Sequence, residues 1–229
     1  YDQLQYVGDT RIQALVSLFN SGDETLVRNA INQLDNSRLP EGITLSRYPS
    51  ANPQQIPTFS LYWIGMVHDY WRYRLNETFV KEKLPGVRQV LNFFQQYQQP
   101  DGSLKDAPYW EFTDWAAGEG WNRGMAPIGK NGNSAALDLQ LCIAYQLAAE
   151  LEEATGMKEF SQLYRTSADQ LKQTIKAKYW SPTKQLYADT PEQDIYSQHT
   201  NTLAVLAGLT EGNDARLLME KVLSDNTIT

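Results

Sequence analysis

The feature that most constrains the fold is a helical spacing of apolar residues that recurs along most of the chain. Apolar side chains return every three or four residues in eight segments, and most of these segments are joined in pairs by short breaks. The segments run approximately over 9–20, 26–37, 59–75, 77–98, 133–155, 158–179, 197–209 and 214–223. Because short connections allow only antiparallel neighbours, each pair predicts a helical hairpin. Strand patterns are nearly absent, apart from an extended stretch expected around Tyr187.

Two details of these helices are specific predictions. The first helix is expected to be capped by Asp9 or Thr10, with an apolar face formed by Ile12, Leu15, Val16 and Phe19. The fourth segment contains Pro85 followed by a glycine, which predicts a kink or a division of that helix.

Three long irregular segments, 38–57, 100–132 and 180–196, occupy every second connection. Stacked hairpins close either as an open solenoid or as a toroid of inner and outer helices. In a toroid these three loops would share one rim, where a pocket can form. The chain is therefore predicted to be all-α, with any functional site on the loops.

Charge and cysteine content exclude several classes of partner and site. The net charge is −7, which argues against nucleic acid and anionic membranes, and no run of eighteen apolar residues is long enough to span a bilayer. The single cysteine, Cys142, forms no internal disulfide and fits no zinc spacing. His68 and His199 are isolated from other candidate ligands, so we expect neither a metal nor a cofactor.

Aromatic residues are abundant, with 6 Trp, 13 Tyr and 7 Phe. Rings beside carboxylates are typical of a cleft for a neutral ligand with many hydroxyls, since sugar C–H faces stack on rings and hydroxyls bind carboxylates. Packing of the rings in the core is the alternative. Acidic residues on the candidate rim are Asp2, Asp9, Asp106, Glu111, Asp114 and Glu119.

Two of these acids have aromatic neighbours that suit a general acid. Asp2 lies between Tyr1 and Tyr6, and Asp114 precedes Trp115. Rings desolvate the charged form of a carboxyl group and raise its pKa. The alternative for Asp114 is that it caps a turn.

Several segments resemble glycoside hydrolase family 78, the α-L-rhamnosidases. The opening segment YDQLQYVGD, residues 1–9, is similar to the family's run of acidic residues, Arg, Gly, Trp and a final Gly-Asp. Trp63 follows a proline-bearing loop, the sequence FTDW covers 112–115, and SQHT at 197–200 opens a helix that ends in Gly208-Leu209. The resemblance extends over the whole chain.

The resemblance implies an (α/α)6 toroid whose rim pocket binds terminal rhamnose. It places Asp2 at the general acid, where the family has Glu, and Asp9 at a sugar-binding aspartate. Tyr6 occupies the position of the motif tryptophan, and Trp63 and Trp115 match pocket tryptophans of the family. With Asp114, these residues form the predicted binding site. The shorter Asp2 side chain could move the proton by about 1 Å, which is costly for catalysis.

The family's general base is a Glu on a later helix, so it is not assigned to any residue of this chain. About four hairpins of six are legible, and we expect residues 1–229 to be a partial catalytic domain that is inactive alone. The expected partner is a rhamnose-containing glycan or glycoside. The substrate class favours a periplasmic or extracellular location.

Two other functions are also compatible with the sequence. The shortened acid is compatible with a catalytically weakened or non-catalytic carbohydrate-binding toroid. An (α/α)6 glycosidase acting on uronides would need pocket cations, for which Arg47 and Arg123 are candidates on the long loops.

Overall fold

The computed structural model describes residues 4–225 and Ile228. Asp2, the predicted general acid, lies outside the described residues. The described chain forms eight α-helices and one short hairpin, which confirms the all-α prediction: α1 Val7–Asn20, α2 Thr25–Asn36, α3 Pro57–Tyr73, α4 Glu77–Gln95, α5 Ala135–Thr155, α6 Lys158–Tyr179, β1 Trp180–Ser181, β2 Leu186–Tyr187, α7 Gln198–Leu206 and α8 Gly212–Ser224. None of the described helices is long and apolar enough to cross a membrane.

The chain divides into two compact units. The first contains Tyr1–Gln96 and Ala144–Arg165, and the second contains Tyr97–Ile143 and Thr166–Thr229. Helices α1 to α4 therefore belong to the first unit, and the hairpin, α7 and α8 belong to the second. The strands β1 and β2 pair antiparallel, with Trp180 opposite Tyr187, which confirms the extended stretch expected there.

Helix α1 buries a different face from the one predicted. Its buried residues are Val7, Thr10, Ala14 and Leu18, whereas Ile12 is 62%, Val16 54% and Phe19 68% exposed. Small residues allow α1 to approach α3 closely: a Cβ on Gly8 would lie 3.0 Å from the Phe59 ring, and one on Gly65 would lie 2.3 Å from Arg11 Cζ. Close backbone approach thus decides which face is buried, not the hydrophobicity of the larger side chains.

The start of α1 also differs from the prediction. The cap position is Tyr6, so Asp9 and Thr10 lie within the first turn. The hydroxyl of Thr10 donates a hydrogen bond to the carbonyl of Tyr6. Asp9 remains well placed because a carboxylate in the first turn interacts favourably with the helix dipole.

Helix α4 is one continuous helix with Pro85 inside it. The following residue, Gly86, has no room for a side chain, because a Cβ there would lie 2.4 Å from Arg38 Nη2 and 2.9 Å from the Trp63 ring. The glycine therefore lets α4 pack against Trp63 on α3.

A buried ion pair joins α4 to the end of α5 in the first unit. Glu152 is fully buried and accepts two hydrogen bonds from the Arg88 guanidinium, at 2.7 and 2.8 Å. The same carboxylate accepts the backbone N–H of Met157 at 2.9 Å, just before α6 begins. Because Oε2 of Glu152 accepts hydrogen bonds both from Arg88 and from the turn between α5 and α6, the ion pair fixes the geometry of this hairpin.

Candidate functional site

Residues 5–7 of the opening motif are held in place by the long loop that precedes α3. The N–H of Val7 donates to the carbonyl of Ser46 at 2.9 Å, and the N–H of Tyr48 donates to the carbonyl of Gln5 at 3.3 Å. These bonds flank an isolated antiparallel bridge between Tyr6 and Arg47. The proline-bearing loop and residues 5–7 therefore form one structural element.

Tyr6 and Asp9 have different environments at this position. Tyr6 is half-buried, its ring lies 5.4 Å from Arg47 Cζ, and its hydroxyl accepts a hydrogen bond from Arg47 Nη1. Asp9 is exposed, and no hydrogen bond or ion pair joins its carboxylate to the described part of the chain. A carboxylate in that state is available to sugar hydroxyls.

Trp63 has the environment of a core residue. It has no exposed surface, its indole N–H donates to the carbonyl of Ile31 at 3.1 Å, and Arg38 Cζ lies 4.7 Å from its ring centroid. A fully buried indole offers no face to a ligand in this conformation. This position differs from that of the pocket tryptophan which the resemblance implies.

The second unit contains an aromatic cluster on the loop before α5. The rings of Trp110, Phe112 and Trp115 contact one another, with centroids 5.1 to 5.9 Å apart. Trp115 is nevertheless 73% exposed. The cluster therefore supports an indole whose face is open to solvent.

A turn at Gly124 shapes this loop. The N–H groups of Thr113 and Asp114 both donate to the Gly124 carbonyl, at 2.7 and 3.2 Å. Gly124 has φ of 77°, and a Cβ there would lie 2.4 Å from the Phe112 ring. Glycine is required for both reasons, since side chains rarely adopt this conformation.

Asp114 is oriented by two contacts. Its Oδ1 accepts the N–H of Trp115 at 2.7 Å, and its Oδ2 lies 3.0 Å from His199 Nε2. The His199 ring in turn lies 4.9 Å from the ring of Trp121. Residues 85 positions apart thus fix the carboxylate next to the exposed indole of Trp115.

His199 was not predicted as a site residue. Ser197 caps α7 by accepting the N–H of Thr200, so His199 lies in the first turn of that helix. The only sequence signal was its place in the SQHT segment, which gives no indication of contact with Asp114.

Three carboxyl groups of the second unit have raised pKa values. Burial, with the nearby charges of Asp106 and Asp138, raises the pKa of Glu111 to about 7. Burial raises the pKa of Asp138 to about 7, against hydrogen bonds from the Leu104 N–H and the Tyr179 hydroxyl. Burial likewise raises the pKa of Asp189 to about 6. These groups hold or release protons near neutral pH.

The described residues contain no group of three His, Cys, Asp or Glu side chains that could hold a metal ion. The predicted residues form two sets, Tyr6 with Asp9 in the first unit and Asp114 with Trp115 in the second. Each set combines an aromatic ring with an exposed carboxylate. This combination suits a neutral sugar, which offers both C–H faces and hydroxyl groups.

A family model described as the bacterial α-L-rhamnosidase six-hairpin glycosidase domain matches residues 1–227. No curated protein matches the chain. A solved family 78 rhamnosidase of Bacillus sp. GL1 is 27% identical with a TM-score of 0.84, over 100% of this chain and 24% of that chain. A Klebsiella oxytoca rhamnosidase with rhamnose bound is 21% identical with a TM-score of 0.84, over 99% of this chain and 42% of that chain.

A third similar structure is the α-L-rhamnosidase of Dictyoglomus thermophilum. It is 17% identical with a TM-score of 0.72, over 98% of this chain and 24% of that chain. The present chain thus spans less than half the length of each of these three proteins.

Proposed function

Because the chain belongs to the bacterial α-L-rhamnosidase six-hairpin glycosidase domain family, we propose that it is part of a glycoside hydrolase that removes terminal rhamnose with inversion. The observation that carries this proposal, beside the family match, is the arrangement on the loop before α5. There the exposed indole of Trp115 adjoins the carboxylate of Asp114, which His199 holds in place.

In the proposed mechanism, Asp2 donates its proton to the glycosidic oxygen as the bond from that oxygen to the rhamnose C1 breaks. A water molecule attacks C1 from the opposite face, and its proton passes to a second carboxylate that is not assigned to any of these residues. In the first unit, Asp9 accepts hydrogen bonds from sugar hydroxyls beside the Tyr6 ring. In the second unit, Asp114 and Trp115 form a sugar-binding pair of their own. The product is β-L-rhamnose.

The test is hydrolysis of an α-L-rhamnoside by the full-length protein, followed by proton NMR. Early appearance of the β anomer supports inversion, whereas early appearance of the α anomer refutes it. If no rhamnoside releases rhamnose, the hydrolase proposal is wrong.

A second candidate function is a carbohydrate-binding module without catalysis, which the shorter acid at Asp2 favours. The two functions differ in the effect of Asp2→Asn. A general acid contributes roughly 10²- to 10⁴-fold, so in a hydrolase this variant should lower kcat by about 100-fold or more. In a binding module, turnover would remain at background while rhamnose binding persisted. Asp2→Glu is the matched variant, and in a hydrolase we expect it to raise kcat because it restores the longer side chain.

A further inference from the structure

The side chain of Gln5 ties the opening motif to two other parts of the first unit. Its Nε2 donates to the carbonyl of Tyr48 at 2.9 Å and to Oε1 of Gln33 at 3.1 Å. Tyr48 lies on the long loop before α3, and Gln33 lies on α2. One NH2 group therefore joins the motif, a loop and a helix, and both of its hydrogens are used.

The partners of this amide fix the direction in which it points. A backbone carbonyl accepts hydrogen bonds and cannot donate them, so the NH2 of Gln5 must face Tyr48. The same NH2 then requires an acceptor on α2, which is the amide oxygen of Gln33. Glutamate has the shape of glutamine but offers no donor. Gln5→Glu would therefore remove both bonds and place a carboxylate oxygen against the Tyr48 carbonyl.

The anchored residue lies between the two acids of the motif. Gln5 follows Asp2 by three residues and precedes Asp9 by four. Its carbonyl also accepts the N–H of Tyr48 at 3.3 Å, so main-chain and side-chain bonds join the same two residues. Gln5 is thus fixed relative to the loop before α3.

This anchor is a departure from the motif that the chain resembles. The family's run has glycine directly before its tryptophan, and because Tyr6 occupies the tryptophan position, Gln5 stands at that glycine. Glycine has no side chain to donate to Tyr48 or Gln33, and it leaves the backbone freer. The same motif also has the shorter acid Asp2 in place of Glu. A shorter acid tolerates less backbone movement, so the two departures are complementary.

We propose that Gln5 is a positioning residue for the general acid: its amide fixes the backbone from which Asp2 reaches the glycosidic oxygen. This inference rests on the proposed function and names a residue on which its acid depends. The physical reason is the steep distance dependence of proton transfer between a carboxyl group and a leaving oxygen. A misplacement of about 1 Å can cost roughly 10²-fold in rate.

The test compares two substrates whose leaving groups differ in their need for a proton. In 4-nitrophenyl α-L-rhamnoside the phenolate leaves as a stable anion, whereas in rhamnose α-linked to glucose the sugar oxygen must be protonated as the bond breaks. The full-length protein is assayed with both, and the measured quantity is the kcat/KM for the disaccharide divided by that for the phenyl rhamnoside. Gln5→Glu should lower this ratio by about 10- to 100-fold. A general loss of folded protein would lower both values equally and leave the ratio unchanged.

A double variant shows whether Gln5 acts through Asp2. Asp2→Asn alone should lower the ratio, because it removes the acid. In that background Gln5→Glu should lower the ratio no further, since two changes that act on one group are not additive. If Gln5→Glu lowers the ratio by the same factor in both backgrounds, it does not act through Asp2 and the inference is wrong.

Variants of the partner on α2 test the contact itself. Gln33→Glu keeps an oxygen that accepts from the Gln5 amide, so the ratio should stay near the wild-type value. Gln33→Leu removes the acceptor and should lower the ratio, though less than Gln5→Glu does, because the bond to Tyr48 remains. Gln13→Glu makes the same chemical change at an exposed position of α1 and should leave the ratio unchanged.

The remaining outcomes separate this inference from the proposed function. If the wild type cleaves both substrates and Gln5→Glu lowers both kcat/KM values equally, the inference is refuted and the rhamnosidase stands. If Gln5→Glu does not fold, Gln33→Leu decides, and an unchanged ratio in that variant refutes the inference. If the wild type cleaves neither substrate, the proposed function is wrong and so is the role given to Gln5.

Discussion

The buried carboxyl group of Asp138 predicts that stability falls as pH rises. Asp138 is fully buried in the first turn of α5, where the Leu104 N–H and the Tyr179 hydroxyl donate to its two oxygens at 2.7 Å. Burial raises its pKa from 3.8 to about 7. Burial also raises the pKa of Tyr179, so its hydroxyl keeps the proton that it donates.

The sign and size of the effect follow from proton binding. Between pH 3.8 and about 7 the folded state holds a proton on Asp138 that the unfolded state has released. The free energy of unfolding therefore decreases as pH rises through this interval. Each pKa unit corresponds to about 1.4 kcal/mol. The free energy of unfolding should therefore fall by about 4 kcal/mol at most over the whole interval, of which about 3 kcal/mol is lost above pH 5.

The assay compares wild type with Asp138→Asn by urea unfolding at several pH values from 5 to 8. At pH 5 the variant should be less stable, because an amide offers one oxygen to two donors and leaves its NH2 without an acceptor. The difference between the two proteins should shrink by up to about 3 kcal/mol by pH 8, since only the wild type carries the titrating group. Comparing variants at each pH removes the contributions of all other residues that titrate in both proteins.

Glu153→Gln on the same helix is the matched control, because Glu153 is exposed. Its stability should run parallel to that of the wild type. If the difference between wild type and Asp138→Asn is the same at all pH values, the carboxyl group does not carry a raised pKa and the reasoning is refuted.

Three other predictions concern the ion pair and the site. Arg88→Ala should lower the free energy of unfolding by about 3 to 5 kcal/mol, because it leaves the buried Glu152 unpaired; a loss below about 1 kcal/mol in urea unfolding would contradict this. Trp115→Ala should raise KM for a rhamnoside about 10-fold at unchanged kcat and change stability by less than about 1 kcal/mol, because the indole is 73% exposed; unchanged KM would remove Trp115 from the site. His199→Gln should retain more rhamnose affinity than His199→Ala, since an amide at the ε position can still donate to Asp114; equal losses in calorimetry would show that this hydrogen bond is unimportant.

Helix positions were predictable because their signals are local. The helix opening at 197–200 and the extended stretch at Tyr187 lie where the sequence predicts them, and the paired helices follow the apolar spacing. The buried face of α1 was not predictable from hydrophobicity. It depends on Gly8 and Gly65, whose lack of side chains permits a close approach of α3.

The candidate site was only partly predictable, because its geometry depends on contacts between distant residues. The exposed Trp115 and its neighbour Asp114 follow from the FTDW segment, but the contact of Asp114 with His199 has no local signal. The resemblance implies that Trp63 lines the pocket, whereas the packing allowed by Gly86 encloses its ring in the core.

Three carboxyl groups lie at the starts of helices. Asp9 lies in the first turn of α1, Asp138 in the first turn of α5, and Asp189 accepts hydrogen bonds from Ser197 and Thr200 at the start of α7. The positive end of a helix dipole stabilises a negative charge, whereas burial destabilises it. Burial dominates at Asp138 and Asp189, whose pKa values are raised, while Asp9 remains exposed. The two buried groups therefore serve the fold, whereas the side chain of Asp9 lies exposed in the first turn of α1.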